Sequence, residues 1–268
     1  MKNRFLYLFV LAGIVLLSVN SAVAQVSQAT IDQAGILGKI RAGGKIVVGM
    51  SAEYKPFEYK TDKGEIVGFD VDIAKELAKA LGVDLVIKEY KFEDLLSNVG
   101  GDIDIVISGM TRTLDRALIK NFTDPYFQTG QVVVLSEKTT AINDYKELDT
   151  PKKKVIVVSG TTGADLVYKK MPNAKVILAA SELEAAKILI SGQADALLYD
   201  KPFIDSLVCN YPKMKVLPGQ LSYEVYAFAI PKGDTDYLHW LNYFVEDLKT
   251  SGRYQEIYDK WFKDVCKL

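Results

Sequence analysis

Histidine and cysteine are scarce: the 268 residues include one histidine, His239, and two cysteines, Cys209 and Cys266. A lone histidine argues against imidazole-based metal sites and against triads with a histidine base. The cysteines match no zinc-binding spacing. Sequence alone does not show whether their Cβ atoms meet, so whether they form a disulfide stays an open question. We therefore expect no metal, no cofactor and no catalytic residue.

An excess of charge of either sign is also missing, because the net charge is only −1 at pH 7. Nucleic-acid binding would need a basic patch, and none is visible. The one long apolar run, residues 5–19, follows Lys2 and Arg4 and precedes Ala22-Val23-Ala24. This pattern predicts a signal peptide over residues 1–24 and export to a periplasm. The run is short for a spanning helix, and its retention as an anchor stays open.

Strand and helix patterns alternate along the rest of the chain, which is long enough for two domains. A lead-in segment, residues 25–43, includes a helix predicted over 31–40 that ends at Gly43-Gly44. The first unit then has predicted strands at 45–48, 84–90 and 103–107, with helices at 71–81 and 92–99. The second has strands at 154–158, 175–178 and 195–198, with helices at 162–170 and 181–191. Each unit predicts a mostly parallel sheet covered by helices, and so an α/β fold.

Two extended apolar runs, 130–136 and 223–230, flank the second unit. If both cross between domains, the first domain is built from both ends of the chain. The predicted division is then a first lobe over 44–129 plus 225–268 and a second lobe over 130–224, joined by a two-stranded hinge near residues 127–131 and 219–225.

Ligands of open α/β sheets bind at the carboxyl ends of the strands. Arg116 follows such an end in "SGMTRTLDR" at 108–116, and its guanidinium suits a carboxylate bound through two hydrogen bonds. "SGTTG" at 159–163 opens a helix, whose amino end favours an anion. Asp200 follows another strand and suits an ammonium group. A cation and an anion on opposite walls predict a receptor for a zwitterion.

Several longer motifs resemble one family, the polar-amino-acid-binding proteins of bacterial ABC importers, family 3. The motifs are "YKPFEY" at 54–59, "GFDVDIAKELAKALG" at 68–82, "DIDIVISGMTRTLDR" at 102–116, "FTDPYF" at 122–127, "SGTTG", "ADALLYD" at 194–200 and "SGRYQEIYDKWF" at 251–262. The resemblance implies the two-lobed periplasmic-binding-protein fold. It also implies a monomer that binds a free amino acid and delivers it to a membrane ABC permease.

The same resemblance implies a role for each candidate residue. Arg116 would bind the ligand carboxylate together with Gly109, Thr111 and Thr161. Asp200 and Ser108 would hold the ammonium group. The rings of Tyr54 and Phe92 would sandwich the side chain, and Thr162 would lie on the floor of the pocket.

The position that often carries an acid in relatives specific for basic ligands is Ser51. This departure slightly favours a neutral polar or apolar amino acid. Glu53, directly before Tyr54, is the alternative partner for a basic side chain.

Two other functions compete with the receptor. "EYKPF" and "TLDR" also resemble periplasmic cyclohexadienyl (arogenate) dehydratase, but the position of its glutamate proton donor is Phe203, which cannot transfer a proton. The sensor domain of a membrane receptor is disfavoured because the sequence shows no spanning helix after the second unit.

Two further features are expected to be structural. Asp70 is predicted to cap the helix that follows it. Tyr258, Trp261 and Phe262 are predicted to pack as core on the last helix.

Overall fold

The computed structural model describes residues 35–139 and 141–267. The predicted signal peptide and residues 31–34 of the predicted lead-in helix lie outside them. The helices are α1 (Gly35–Gly43), α2 (Phe69–Leu81), α3 (Leu95–Asn98), α4 (Leu114–Ile119), α5 (Thr162–Lys170), α6 (Glu182–Ile190), α7 (Lys201–Asn210), α8 (Thr235–Thr250) and α9 (Arg253–Phe262). Short 3₁₀ turns cover Phe92–Asp94, Tyr145–Leu148 and Val265–Lys267.

The first lobe is built on a five-stranded sheet. Its spatial order is β5 (Asp84–Glu89), β1 (Lys45–Met50), β6 (Ile105–Val106), β15 (Ala229–Ile230) and β7 (Asn121–Phe122). β1 pairs in parallel with β5 and β6, whereas β15 is antiparallel to β6 and β7. A three-stranded hairpin sheet, β2 (Glu53–Tyr54), β3 (Glu58–Lys60) and β4 (Ile66–Val67), lies between β1 and α2 in the chain. The first sheet therefore takes strands from both ends of the chain.

The second lobe has its own five-stranded sheet. Its order is β11 (Lys175–Ala179), β10 (Lys154–Val158), β12 (Ala196–Asp200), β9 (Gln131–Leu135) and β13 (Lys215–Val216). β10 is parallel to β11 and β12, and β9 is antiparallel to β12 and β13. Every residue of β9 and β12 is buried, as expected for strands that helices cover on both faces.

A separate two-stranded antiparallel ladder joins the lobes. It pairs β8 (Phe127–Thr129) with β14 (Glu224–Tyr226) in the register Glu224↔Thr129 and Tyr226↔Phe127. The predicted crossing run 130–136 is therefore not itself the crossing, because residues 131–135 belong to the second sheet. The polar composition of β8, Phe-Gln-Thr, explains why no apolar pattern revealed it.

Glycine sets both ends of α2. Gly68 stands at the N-cap with φ 145°, and a Cβ there would lie 2.0 Å from the Phe57 carbonyl oxygen. Gly82 ends the helix in the left-handed conformation, as the sequence predicts. The prediction that Asp70 caps this helix is wrong. Asp70 lies inside the first turn and is fully buried, with its carboxylate turned into the core.

Aromatic packing and a disulfide hold the last helix and the segment after it. Phe262 lies 5.1 Å from Phe127 and 5.3 Å from Phe57 between ring centroids, so the end of α9 packs on the hinge and the first lobe. The core prediction for this cluster is confirmed. Cys209 on α7 is bonded to Cys266, with a Cα–Cα distance of 5.1 Å, so the open question about the cysteines is resolved as a disulfide. Within the described ranges, no helix has the length and apolar character needed to cross a membrane.

Candidate functional site

Four polar segments meet where the two sheets face each other. Three of them directly follow the strands β1, β6 and β10, and the fourth is the end of β12. Each therefore lies at the carboxyl end of a strand. Direct bonds join the lobes here: Ser159 Oγ donates to Glu93 Oε2 at 2.6 Å, and Arg116 Nη2 donates to the Gly160 carbonyl at 2.9 Å. The cleft between the lobes is therefore closed in this structure.

Arg116 reaches into the cleft from α4. Its Nη1 donates to the Thr111 carbonyl at 2.8 Å, and the guanidinium lies 5.6 Å from the ring centroid of Phe92. The helix cap Thr113, whose hydroxyl accepts from the Arg116 N–H, fixes the start of α4. Both hydrogen-bond partners of the guanidinium, the carbonyls of Thr111 and Gly160, are neutral, so no carboxylate is hydrogen-bonded to it. Burial lowers the pKa of Arg116, and nearby carboxylates such as Glu224 oppose this shift.

Asp200 reaches the cleft from the end of β12 in the second lobe. Its Oδ2 accepts from Tyr54 Oη at 3.1 Å and its Oδ1 from Gln131 Nε2 at 2.6 Å. Both donors are neutral. Burial raises the pKa of Asp200 to about 8, and repulsion from Glu224 adds to the shift. Asp200 occupies the N-cap position of α7, but its side chain makes no cap hydrogen bond.

Sequence reasoning missed two residues of the cleft, Glu224 and Gln131. Glu224 Oε2 accepts from the hydroxyls of Thr111 and Thr162, each at 2.7 Å, and so joins predicted site residues of both lobes. Gln131 opens β9, and its Oε1 is buried without a partner in the described structure. The available signal for Glu224 was an acid inside the otherwise apolar run 223–230.

The loop after β6 is held from behind. Ser108 Oγ accepts from the Ser51 N–H at 3.0 Å and donates to Glu58 Oε1 at 2.5 Å. The Gly109 N–H donates to Asp70 Oδ2 at 2.7 Å. That N–H is already bonded within the protein and is not offered to a ligand carboxylate. Gly109 has φ 49°, and a Cβ there would lie 2.5 Å from Tyr54 Cε1, so the loop and the tyrosine are closely fitted.

The two rings predicted to sandwich a side chain have different surroundings. Tyr54 is buried, stacks on Phe57 at 4.7 Å, and shares a 2.6 Å hydrogen bond with the Tyr226 hydroxyl. Phe92 is half-buried beneath Arg116. Among the ring contacts of the described residues, none joins Tyr54 to Phe92.

The amino end of α5 lies beside Arg116 at the cleft. Thr161 is its N-cap: the hydroxyl accepts from the Ala164 N–H and donates to the Val158 carbonyl. The first N–H groups of a helix have no acceptor within the helix. Thr162 begins α5 and points its hydroxyl at Glu224. Arg116, Thr161 and Thr162 line one cavity of about 370 Å³.

A second cavity, about 280 Å³, lies between the lobes and is bordered by Ser51 and Phe92. Its walls carry three carboxylates, from Glu53, Glu89 and Glu182, and one cation, from Lys91. Glu53 Oε2 is buried and has no partner within the described structure. Glu182 is 2% exposed and accepts a hydrogen bond from the Tyr199 hydroxyl. Burial raises the pKa of Glu182, and the neighbouring Glu53 adds to the effect.

His239 lies away from the cleft. It borders a surface cavity of about 500 Å³ beside Asp124 and α8. No group of three or more histidine, cysteine or acidic side chains in residues 35–139 and 141–267 is arranged to hold a metal ion.

Two α/β lobes, a two-stranded hinge and a polar cleft with an arginine on one wall and a carboxyl group on the other define a solute-binding protein of the periplasmic-binding class. The chain belongs to the bacterial extracellular solute-binding proteins, family 3, whose model matches residues 46–264. It is 32% identical over 235 residues to the ABC transporter glutamine-binding protein GlnH of Bacillus subtilis, covering 85% of each chain.

Solved structures agree with this assignment. A mutant of ArgBP from T. maritima superposes with a TM-score of 0.80 at 38% identity, covering 85% of this chain and 99% of that one. The ancestral amino acid-binding protein AncCDT-1, a precursor of cyclohexadienyl dehydratase, gives a TM-score of 0.78 at 35% identity, covering 84% and 99%. The family and the named relatives are binding proteins, and family members act outside the cytoplasm.

Proposed function

We propose that this protein binds a free amino acid between its lobes and delivers it to a membrane ABC permease as a monomer. The observation that carries the proposal is the pair Arg116 and Asp200. They reach the cleft from different lobes, and the protein gives each only neutral hydrogen-bond partners. A zwitterion supplies both missing charges at once.

Each end of the amino acid has a proposed set of partners. The carboxylate is bound by Arg116 and the N–H groups at the amino end of α5. Thr111, Thr161 and Thr162 line this end of the cleft, with their hydroxyl hydrogens already donated to Glu224 and to the Val158 carbonyl. The ammonium group is bound by Asp200 and Ser108. Ser51, Tyr54, Phe92 and Gly109 shape the remaining walls. Glu224 is added to the residues of the site, because it accepts hydrogen bonds from hydroxyls of both lobes.

The side-chain end of the cleft favours a cationic ligand. The cavity beyond Ser51 is lined by Glu53 and Glu182, and no described lysine or arginine forms an ion pair with either. Burying a negative group is costly unless a cation compensates it. We therefore propose arginine or lysine ahead of a neutral amino acid, against the slight preference that Ser51 alone suggested.

The lobe division 44–129 plus 225–268 and 130–224 is proposed with the function. The first sheet takes strands from residues 45–122 and 229–230, and the second sheet takes strands from 131–216, which supports this division. Residues 1–24 are proposed as the export signal and 25–43 as the lead-in.

The dehydratase alternative has no proton donor at its expected position. Phe203 is buried at the cleft, 5.2 Å from the Tyr199 ring and 6.1 Å from the Tyr54 ring. A phenyl ring transfers no proton. We therefore propose binding without catalysis.

A thermal-shift screen of the twenty amino acids tests the function, because a ligand that binds only the folded state raises its stability. The best ligand is then compared with its decarboxylated and deaminated analogues. We expect a shift for the amino acid and little for either analogue. Equal shifts for all three would overturn the zwitterion receptor.

A further inference from the structure

Two buried carboxyl groups lie behind the ligand-binding loop and touch no solvent. Glu58 and Asp70 are both 0% exposed. No lysine, arginine or histidine of the described chain forms an ion pair with either carboxyl. Two adjacent ionised carboxylates in such a place would repel strongly and lack compensation. One proton between them removes that conflict.

The hydrogen bonds show which oxygen atoms remain for that proton. Glu58 Oε1 accepts from Ser108 Oγ at 2.5 Å and from Ser51 Oγ at 3.3 Å. Asp70 Oδ2 accepts from the Gly109 N–H at 2.7 Å and from Tyr126 Oη at 2.9 Å. The other two oxygens, Glu58 Oε2 and Asp70 Oδ1, are buried and find no N–H or O–H donor among the described residues. The two carboxyls hold adjacent residues of one loop, Ser108 and Gly109, and each shifts the pKa of the other, so a proton on Glu58 Oε2 that is shared with Asp70 satisfies both.

We propose that Glu58 and Asp70 are a positioning pair. Neutral Glu58 donates a hydrogen bond to ionised Asp70 and keeps its other oxygen as the acceptor for the Ser108 hydroxyl, so that Ser108 acts as a hydrogen-bond acceptor toward the ligand. The proposal rests on the proposed function and names how that site selects an ammonium group. Ser108 Oγ has a single hydrogen, which it donates to Glu58, and one of its two lone pairs accepts from the Ser51 N–H. What Ser108 can still offer a ligand is the second lone pair, which suits an N–H donor.

The charges around the pair agree with this assignment. Burial raises the pKa of Glu58 well above its ordinary value, and the neighbouring Asp70 adds to the shift. Burial raises the pKa of Asp70 to about 6, opposed by the hydrogen bond from Gly109. The other titratable groups that face the pair are Tyr54, Tyr126, Tyr254 and Glu182, and none is a cation. These shifts assign the shared proton to Glu58 and the charge to Asp70.

Glu58→Gln provides a test that separates a proton from a simple packing role. The amide oxygen of glutamine accepts from Ser108, and its NH₂ donates to Asp70, so the variant copies neutral Glu58 but cannot ionise. We expect ligand affinity at pH 7 within about threefold of the parent, because no hydrogen bond is lost. As pH rises from 7 into the alkaline range, the parent loses at least about tenfold more affinity than the variant, because ionised Glu58 repels Asp70 and the two carboxyls no longer hold Ser108 and Gly109 in place. Titration of Asp200 and of the ligand is common to both proteins and cancels.

An infrared measurement tests the proton without a ligand. A neutral carboxylic acid has a carbonyl stretch that a carboxylate lacks. At pH 7 we expect such a band in the parent, shifted by ¹³C-glutamate labelling, lost in Glu58→Gln and kept in Asp200→Asn. If Glu58→Gln does not fold, the same labelling and alkaline titration are carried out on Glu182→Gln, which lacks the other buried glutamate with a raised pKa.

The outcomes are distinct. The same alkaline decline in parent and Glu58→Gln, or no glutamate acid band that disappears with alkaline titration, overturns the positioning pair. A parent that binds no amino acid overturns the proposed function instead, while the infrared result still decides where the proton lies.

Discussion

Replacing Arg116 with alanine should remove the cation that binds the ligand carboxylate. In the closed structure, its two Nη atoms donate to the carbonyls of Thr111 and Gly160, at 2.8 Å and 2.9 Å, and so reach both lobes. Truncating one member of a buried charge pair costs about 2–5 kcal/mol. At about 1.4 kcal/mol per factor of ten, the affinity for the amino acid should fall by about 30- to 4000-fold.

Two related variants sharpen this test. Arg116→Lys keeps the charge but loses the planar two-point donor, so its affinity should lie between those of the parent and Arg116→Ala. Arg112→Ala is the matched control, because Arg112 is exposed and donates instead to the Thr123 carbonyl at 3.1 Å. Isothermal calorimetry measures the affinity after circular dichroism confirms folding. A folded Arg116→Ala protein that binds as tightly as the parent would remove Arg116 from the site.

Three further changes probe other parts of the cleft. Burial raises the pKa of Asp200 to about 8, and pairing with an ammonium group needs the ionised form, so ligand binding near pH 7 should release a proton and strengthen as pH rises from 6 to 8. Asp200→Asn should release no proton on binding. Equal calorimetric heats for the parent in buffers of different ionisation enthalpy would contradict this. Glu53→Gln should weaken the binding of arginine at least about tenfold relative to that of glutamine. Glu89→Gln should not, because Glu89 is already paired with Lys60 at 2.5 Å. Competition binding that ranks glutamine above arginine in the parent would refute the cationic preference. Gly109→Ala places a Cβ 2.5 Å from Tyr54 Cε1 at φ 49°, so chemical denaturation should show a free energy of unfolding lower by at least about 1 kcal/mol, and an unchanged value would show that the loop relaxes freely.

Local signals in the sequence were enough for most of the regular structure. The helix predicted over 71–81 is observed as Phe69–Leu81, because apolar spacing and Gly82 mark it without reference to the rest of the chain. The strand predicted at 154–158 matches the observed strand Lys154–Val158. The helix predicted over 92–99 was less accurate: a 3₁₀ turn precedes the short helix Leu95–Asn98.

Features that depend on distant contacts were not predictable in the same way. Hinge segments are expected near residues 127–131 and 219–225, but the strand Phe127–Thr129 is short and exists through its pairing with residues 224–226, far away in the chain, so its register is visible only in the fold. Glu224 and Gln131 enter the cleft because of that crossing. Asp70 was predicted as a cap because a polar residue near a helix start usually acts as one. Its bonds to Gly109 and Tyr126 come from separate elements and are visible only in the folded chain.

The central claim is that one amino acid bridges two lobes and so stabilises their closed arrangement. A ligand drives closure only by binding the closed state more tightly than the open one, and hinge closure is general among periplasmic binding proteins. Asp200→Ala should remove the second lobe's hold on the ammonium group. Asp205→Ala is the matched control, because Asp205 lies five residues further on and pairs with Lys201 outside the cleft.

Small-angle X-ray scattering with and without saturating amino acid measures this closure most directly. We expect compaction on ligand addition for the parent and for Asp205→Ala, with little for Asp200→Ala. A parent protein that is equally compact with and without its ligand would contradict it.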